Sequence, residues 1–127
     1  MICAGVGITP MISMLRTLAH RGDKRQHLLL VSSRTPDDLL FREELEELRR
    51  RLHLDVIEVV SRPPRGWTGY AGRVDEYVLD DVLPRRGRAG LRYFVCGPPL
   101  MVRRTTDALR RLSVPDDRVH TEQFDMA

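Results

Sequence analysis

Lysine is almost absent from this chain: Lys24 stands alone, and the other members of its 21 basic residues are arginines. Cysteine is nearly as scarce. Cys3 and Cys96 are too few to build the disulfide framework of a small secreted domain, so a reducing, cytoplasmic setting is the expectation. No apolar run approaches the roughly 20 residues that a membrane-spanning helix needs. The opening Met1-Ile2-Cys3-Ala4-Gly5 also lacks the basic-then-apolar order of a signal peptide. Aromatic residues make up 6% of the chain, which leaves no stacking platform for single-stranded nucleic acid. His20, His27, His53 and His120 show no metal-ligand spacing, and no cysteine cluster exists for an iron–sulfur centre.

What is present describes an ordinary globular domain. The length of 127 residues allows one compact domain, at roughly 100–200 residues per domain, and 42% hydrophobic content is enough for a core. The formal net charge is only +3, with 18 acidic residues against the 21 basic ones. The cluster Arg49-Arg50-Arg51 lies beside Glu43, Glu44, Glu46 and Glu47, the pattern of a solvated helix face. A basic nucleic-acid-binding protein is therefore the remote rival, and neither nucleic acid nor membrane is an expected partner.

Short leucine-rich or β-branched runs alternate with longer helical patterns, which marks a parallel sheet covered by helices. Met1-Ile2-Cys3 is the first run. Thr9 is the expected N-cap and Pro10 the first residue of a helix to about His20, with Ile12, Leu15, Leu18 and Ala19 on its apolar stripe. His27–Ser33 reads as a second strand. Thr35, Pro36 and Asp38 form an approximate capping box for a second helix carrying Phe41, Leu45, Leu48 and Leu52. Leu54–Ser61 is a third strand. Residues 62–72 hold two prolines and three glycines and read as a loop. A helix over about Val74–Leu83, a strand Leu91–Cys96, a helix over about Leu100–Leu112 and a strand Arg118–Phe124 complete the chain. Right-handed crossovers then give an α/β, Rossmann-like fold, a doubly wound parallel five-stranded sheet of order 3-2-1-4-5 with helices on both faces.

Ligands of such sheets bind at the carboxyl ends of the strands, where the strand order reverses. Here that rule selects Ala4–Pro10, Ser32–Thr35, Ser61–Tyr70, Cys96–Pro99 and Glu122–Phe124. The first is a glycine-containing turn entering a helix N-terminus, a pattern suited to a pyrophosphate or to tight strand-to-helix packing alone. Taken together, Gly5-Val6-Gly7-Ile8-Thr9-Pro10, Leu39-Leu40-Phe41-Arg42-Glu43-Glu44-Leu45 and Cys96-Gly97-Pro98-Pro99-Leu100-Met101 resemble the pyridine-nucleotide-binding domain of the ferredoxin–NADP reductase superfamily.

The resemblance implies an NAD(P)H-dependent flavin oxidoreductase. Gly5, Gly7, Ile8 and Thr9 would lie beneath the pyrophosphate and nicotinamide ribose, with Pro10 opening the helix aimed at that phosphate. Cys96 would stand beside the nicotinamide, although a cysteine ending a buried strand is also ordinary packing. Gly97, Pro98 and Met101 would wall the groove. Members that use the 2′-phosphorylated nucleotide tend to carry Ser-Arg where this chain has Ser61-Arg62, and NADH-dependent cytochrome reductases tend to have Asp in place of that Ser. The implied cofactor is therefore NADP(H) ahead of NAD(H). The electrostatics agree, since a carboxylate repels a phosphate while a hydroxyl and a guanidinium donate to it. Tyr70 is similar in placement to an adenine-stacking aromatic, and Arg34 is either a phosphate ligand or a solvated turn residue. Glu122 resembles a family glutamate near the nicotinamide. Phe124 is either a flavin contact or a core residue.

The family's nucleotide domain normally follows a flavin-binding β-barrel. Its absence, with a first strand of roughly three residues where five or six are usual, leads to two expectations: a piece of a longer reductase, or a subunit working with a separate flavoprotein. FAD or FMN would then come from that domain or partner, which would pass electrons to an acceptor protein. A nucleotide-sensing module without catalysis is the alternative.

Overall fold

The computed structural model describes residues 1–124. Strand β1 (Ile2–Ala4) leads into one 3-10 turn over Gly5–Gly7 and then helix α1 (Ile8–His20). Strand β2 (Gln26–Ser33), helix α2 (Arg42–Arg51) and strand β3 (His53–Val60) follow. Next come the two-residue strand β4 (Tyr70–Ala71), helix α3 (Glu76–Val82), strand β5 (Tyr93–Gly97), helix α4 (Pro99–Arg111) and strand β6 (Val119–Gln123). All pairings are parallel, in the order β4-β3-β2-β1-β5-β6. The expected order is borne out, with one strand added at the edge.

Alternation along the strands decides which helices cover which face. Cys3, Leu29 and Val31 point to one side and pack with Ile8, Met11, Ile12 and Leu15 of α1 and Leu45 and Leu48 of α2. Ile2, Leu30, Val59 and Val95 point to the other side, against Val78 and Leu79 of α3 and Val102, Ala108 and Leu109 of α4. Each such aliphatic side chain contributes on the order of 1.5–3 kcal/mol on burial. Because β1 lies between β2 and β5, its short length places Cys3 and Ala4 at the centre of the sheet's carboxyl edge.

Local chemistry sets the helix ends, and two helix starts differ from expectation. The Gly5–Gly7 turn starts α1 at Ile8, so Gly7 is the N-cap and Thr9 lies inside the helix. Pro10 still falls in the first turn, where its missing N–H costs no helical bond. The Thr35/Asp38 pair does form: the Asp38 carboxylate accepts from the Thr35 N–H at 3.1 Å and from its hydroxyl at 3.0 Å. It closes a single 3-10 turn over Pro36–Asp38, however, and α2 begins only after Phe41, which sits at φ 60°. Buried Leu39 explains the break, because the chain turns inward there to fill the core before the helix can start.

Glu43 and Glu44 then open α2 and Arg49–Arg51 end it, complementing the helix dipole. Arg49 and Arg50 also pair with Glu46 and Glu47 at 3.2 and 3.1 Å. For α3 the cap is Asp75, whose carboxylate accepts from the Val78 N–H at 2.9 Å. Arg88 closes its other end by donating to the Asp80 carbonyl at 2.8 Å. Among the described residues no helix is long and apolar enough to cross a membrane.

Candidate functional site

The carboxyl edge of the sheet carries two adjoining features, joined by the turn after β1. In that turn Gly5 has φ +57°, and a Cβ built on it would meet nothing within 4 Å, so the space above it is open. Gly7 is the opposite case. A Cβ there would stand 2.3 Å from the Cys96 carbonyl oxygen and 3.2 Å from Cζ of Phe124, so the turn following β1 touches the end of β5 and only glycine fits there. The two motifs that stand far apart in the sequence are therefore one place in the fold.

Beyond Gly7, the ends of β5 and β6 bring Cys96 opposite Glu122 in register, with Cys3 opposite Cys96 on the other side. Burial pushes the Cys96 thiol above its ordinary range, and the Glu122 carboxylate adds to the effect. Cys96 therefore presents a neutral, compact S–H at neutral pH and no thiolate. Burial acts likewise on Cys3, pushing it up to about 12. Glu122 is exposed. Phe124 donates its N–H to the Gly97 carbonyl at 3.3 Å and packs, half-buried, against the core that contains Ile8 and Cys96. Residues 125–127, which follow it, lie outside the described residues.

On the other side of the turn lies a cleft of about 620 Å³, within the range of small-molecule sites. Ala4, Gly5 and Ile8 form its floor, and Ser32, Ser33 and Arg34 follow β2 along one wall. Ser61 stands at the end of β3, while Pro98, Met101, Arg104 and Thr105 come from the start of α4. Two backbone bonds extend the β2–β3 pairing past the strands: the Ser61 N–H donates to Ser33 O at 3.0 Å and the Arg62 N–H to Arg34 O at 2.8 Å. These bonds bring Arg34 beside Ser61 and Arg62. The Met101 sulfur also lies 2.7 Å from where a Cβ on Gly97 would be, so that glycine makes room for it.

Several expected residues are not in the wall of the cleft. Thr9 and Pro10 belong to the first turn of α1, and Arg62 is exposed beside Ser61. Tyr70 also lies outside this wall. Its hydroxyl donates to Asp81 of α3 and its ring packs on the α3 side of the core, which holds it out of the wall. The wall also holds Arg73, Arg104 and Thr105, which the sequence did not single out. Helical spacing from Met101 was the available signal for two of them, since positions three and four residues on share its face.

The geometry defines a class, a doubly wound domain with a cleft at its strand reversal, and the comparisons with known proteins agree on that fold. Residues 1–107 match the oxidoreductase NAD-binding domain family, and the chain belongs to that family. It is 32% identical to NADH-cytochrome b5 reductase 1 of Cryptococcus neoformans, across 93% of this chain and 43% of that protein. It is 30% identical to NADH-cytochrome b5 reductase 1 of Dictyostelium discoideum, across 95% of this chain and 43% of that protein. The cytochrome b5 reductase domain of Ulva prolifera nitrate reductase superposes with a TM-score of 0.82 at 26% identity, covering 95% of this chain and 46% of that one. Amycolatopsis cytochrome P450 reductase GcoB gives 0.81 at 27% identity, covering 97% and 36%. The chain thus spans less than half the length of these relatives. The superfamily resemblance carried by the Gly-x-Gly-x-Thr-Pro and Cys-Gly-Pro-Pro motifs is borne out.

Proposed function

We propose that this domain holds NADPH, in preference to NADH, for a flavin-dependent oxidoreductase whose FAD or FMN sits in another domain or a separate flavoprotein. The observation that carries this reading is the join at Gly7, which puts the open space at Gly5 in the Ser61 cleft next to the Cys96 end of β5. The residues present suit such a ligand. The dinucleotide would lie with its adenosine toward Ser61 and Arg34, its pyrophosphate over Gly5 and the N–H groups opening α1, and its nicotinamide toward Cys96. When bound, the nicotinamide supplies a hydride, two electrons and one proton together, and the flavin accepts it.

The chain's own task is to orient and to exclude water. The neutral Cys96 thiol is small enough for close approach of a second ring, and Glu122 places a carboxylate at the rim opposite it. Ser61 supports the choice of NADPH, because its hydroxyl donates to a 2′-phosphate that an aspartate in its place would repel. The Cryptococcus neoformans and Dictyostelium discoideum relatives are named NADH-cytochrome b5 reductases, so this preference would separate the chain from them. Two free, buried thiols support a reducing, cytoplasmic setting, and an electron-acceptor protein would be met through the flavin partner.

Calorimetric titration with NADP⁺, NAD⁺ and a DNA duplex tests the reading. NADP⁺ should bind at least about tenfold tighter than NAD⁺, a gap of about 1.4 kcal/mol, and Ser61→Asp should reverse the order. Equal affinities would overturn the preference, and binding of DNA alone would overturn the reading. NADPH-dependent dye reduction after adding a flavoprotein partner then separates a reductase from a sensor.

A further inference from the structure

Three residues of the cleft have no task in the reading above: Arg73, Arg104 and Thr105. Their positions are fixed by separate elements. Val59 and Val60 of β3 pair with Tyr70 and Ala71, and the Gly72 N–H donates to the Val60 carbonyl at 2.9 Å, so Arg73 emerges beside Ser61. Arg104 comes from α4, one turn beyond Met101, and lines the same cleft. With Arg34 on the β2 side, three arginines from three separate parts of the chain line one concavity.

None of the three makes an ion pair among the described residues, whereas Arg16, Arg42, Arg88, Arg110 and Arg111 each do. Asp38, the one carboxylate in the lining, is occupied by Thr35. Like charges gathered in a cleft repel one another and raise the local potential for an anion. A second observation comes from Thr105. Thr105 is a residue of the cleft wall, 1% exposed, and its hydroxyl has no hydrogen-bond partner among the described residues. Buried hydroxyls are normally satisfied, so this one is a donor without an acceptor among those residues.

We propose that Arg73 and Arg104, with Ser61, seat the adenosine 2′-phosphate, and that the Thr105 hydroxyl donates to the same ligand, so that α4 as well as the end of β3 determines nucleotide choice. The inference rests on the reading that the cleft takes a phosphorylated pyridine dinucleotide. A 2′-phosphate carries close to two negative charges at neutral pH and several acceptor oxygens, which suits guanidinium groups arriving from opposite sides better than one group from a single loop.

The test is a set of binding titrations on the purified chain with NADP⁺, NAD⁺, 2′-phospho-AMP and AMP, each at low and high salt. Arg104→Gln and Arg73→Gln replace exposed side chains, and a thermal melt confirms that they fold. Each should weaken NADP⁺ and 2′-phospho-AMP about tenfold to a hundredfold while changing NAD⁺ and AMP by less than about threefold. The salt dependence of the NADP⁺ preference should flatten in both variants. Thr105→Val keeps the shape and should weaken NADP⁺ by about fivefold or more without loss of stability. If the native chain prefers NADP⁺ but either arginine variant keeps the native ratio, or Thr105→Val keeps the native affinity, the inference fails and the reading of the cleft stands. If the native chain does not distinguish the two nucleotides, the preference itself falls, and the 2′-phosphate seat with it.

Discussion

Replacing Gly7 with alanine probes the contact on which the site depends. The added methyl would sit 2.3 Å from the Cys96 carbonyl oxygen and 2.8 Å from its carbon, where ordinary contact begins near 3.4 Å. Relief requires a shift of about 1 Å. The obstacle is backbone of β5, which is paired on one side with β1 and on the other with β6, so it cannot yield as a flexible side chain would. Overpacking of this kind costs about 1–3 kcal/mol, and the rigid neighbour puts Gly7→Ala at the upper end. For a domain of this size that corresponds to a fall in Tm of roughly 10 °C. Gly5→Ala is the matched control: it has φ +57° but open space, and should cost only about 1 kcal/mol. Urea and thermal unfolding of the two variants measure the difference. A Gly7→Ala protein as stable as Gly5→Ala would refute the argument that these two turns are locked together.

Other consequences follow from the same physics. Burial holds the Cys3 thiol up to about 12, while the unfolded chain ionises it near its ordinary value, so unfolding releases a proton above that value. Stability should therefore be fully present below about pH 8.5 and fall toward pH 12 by up to about 1.4 kcal/mol per pH unit. Cys3→Ala should make that decline shallower, and an unchanged slope in denaturant titrations across this window would contradict the assignment. Asp75→Ala removes the α3 cap and should lower stability by about 1 kcal/mol without altering nucleotide affinity, as read by melting and titration side by side. Tyr70→Leu removes the ring and should leave NADP⁺ affinity within about twofold, because Tyr70 packs on α3 with its hydroxyl on Asp81; a tenfold loss (about 1.4 kcal/mol) would give the ring a stacking role in the site.

The layered architecture was legible because its signals are repetitive. Leu29-Leu30-Val31 and Val59-Val60 read as strands buried on both faces, and the stripes of α1 and α4 keep helical spacing over several turns. Signals only a few residues long were less readable. Tyr70–Ala71 pairs with β3 from within a stretch rich in proline and glycine, so the sixth strand was hidden. The Thr35/Asp38 box is real, but capping chemistry cannot tell a lone turn from the start of a helix, and buried Leu39 decided between them. In the site, glycine and Cys-Gly-Pro-Pro motifs marked the join at Gly7. Arg73 and Arg104 escaped because an arginine on a helix or after a turn looks the same whether it faces solvent or a cleft. Only the placement of Met101 and of β4 distinguishes them.

The small strand at the sheet's edge has an evolutionary consequence. Since Tyr70–Ala71 is fastened to β3, the stretch from Ser61 to Gly69 forms a bight tied at both ends, with Trp67 braced on the Tyr70 carbonyl at 3.0 Å. Closing a loop grows only slowly costlier with length, so residues can be gained or lost inside the bight without moving either mooring. Changes along that margin therefore leave the junction at Gly7 untouched, since two further strands separate it from the middle of the sheet where β1 meets β5.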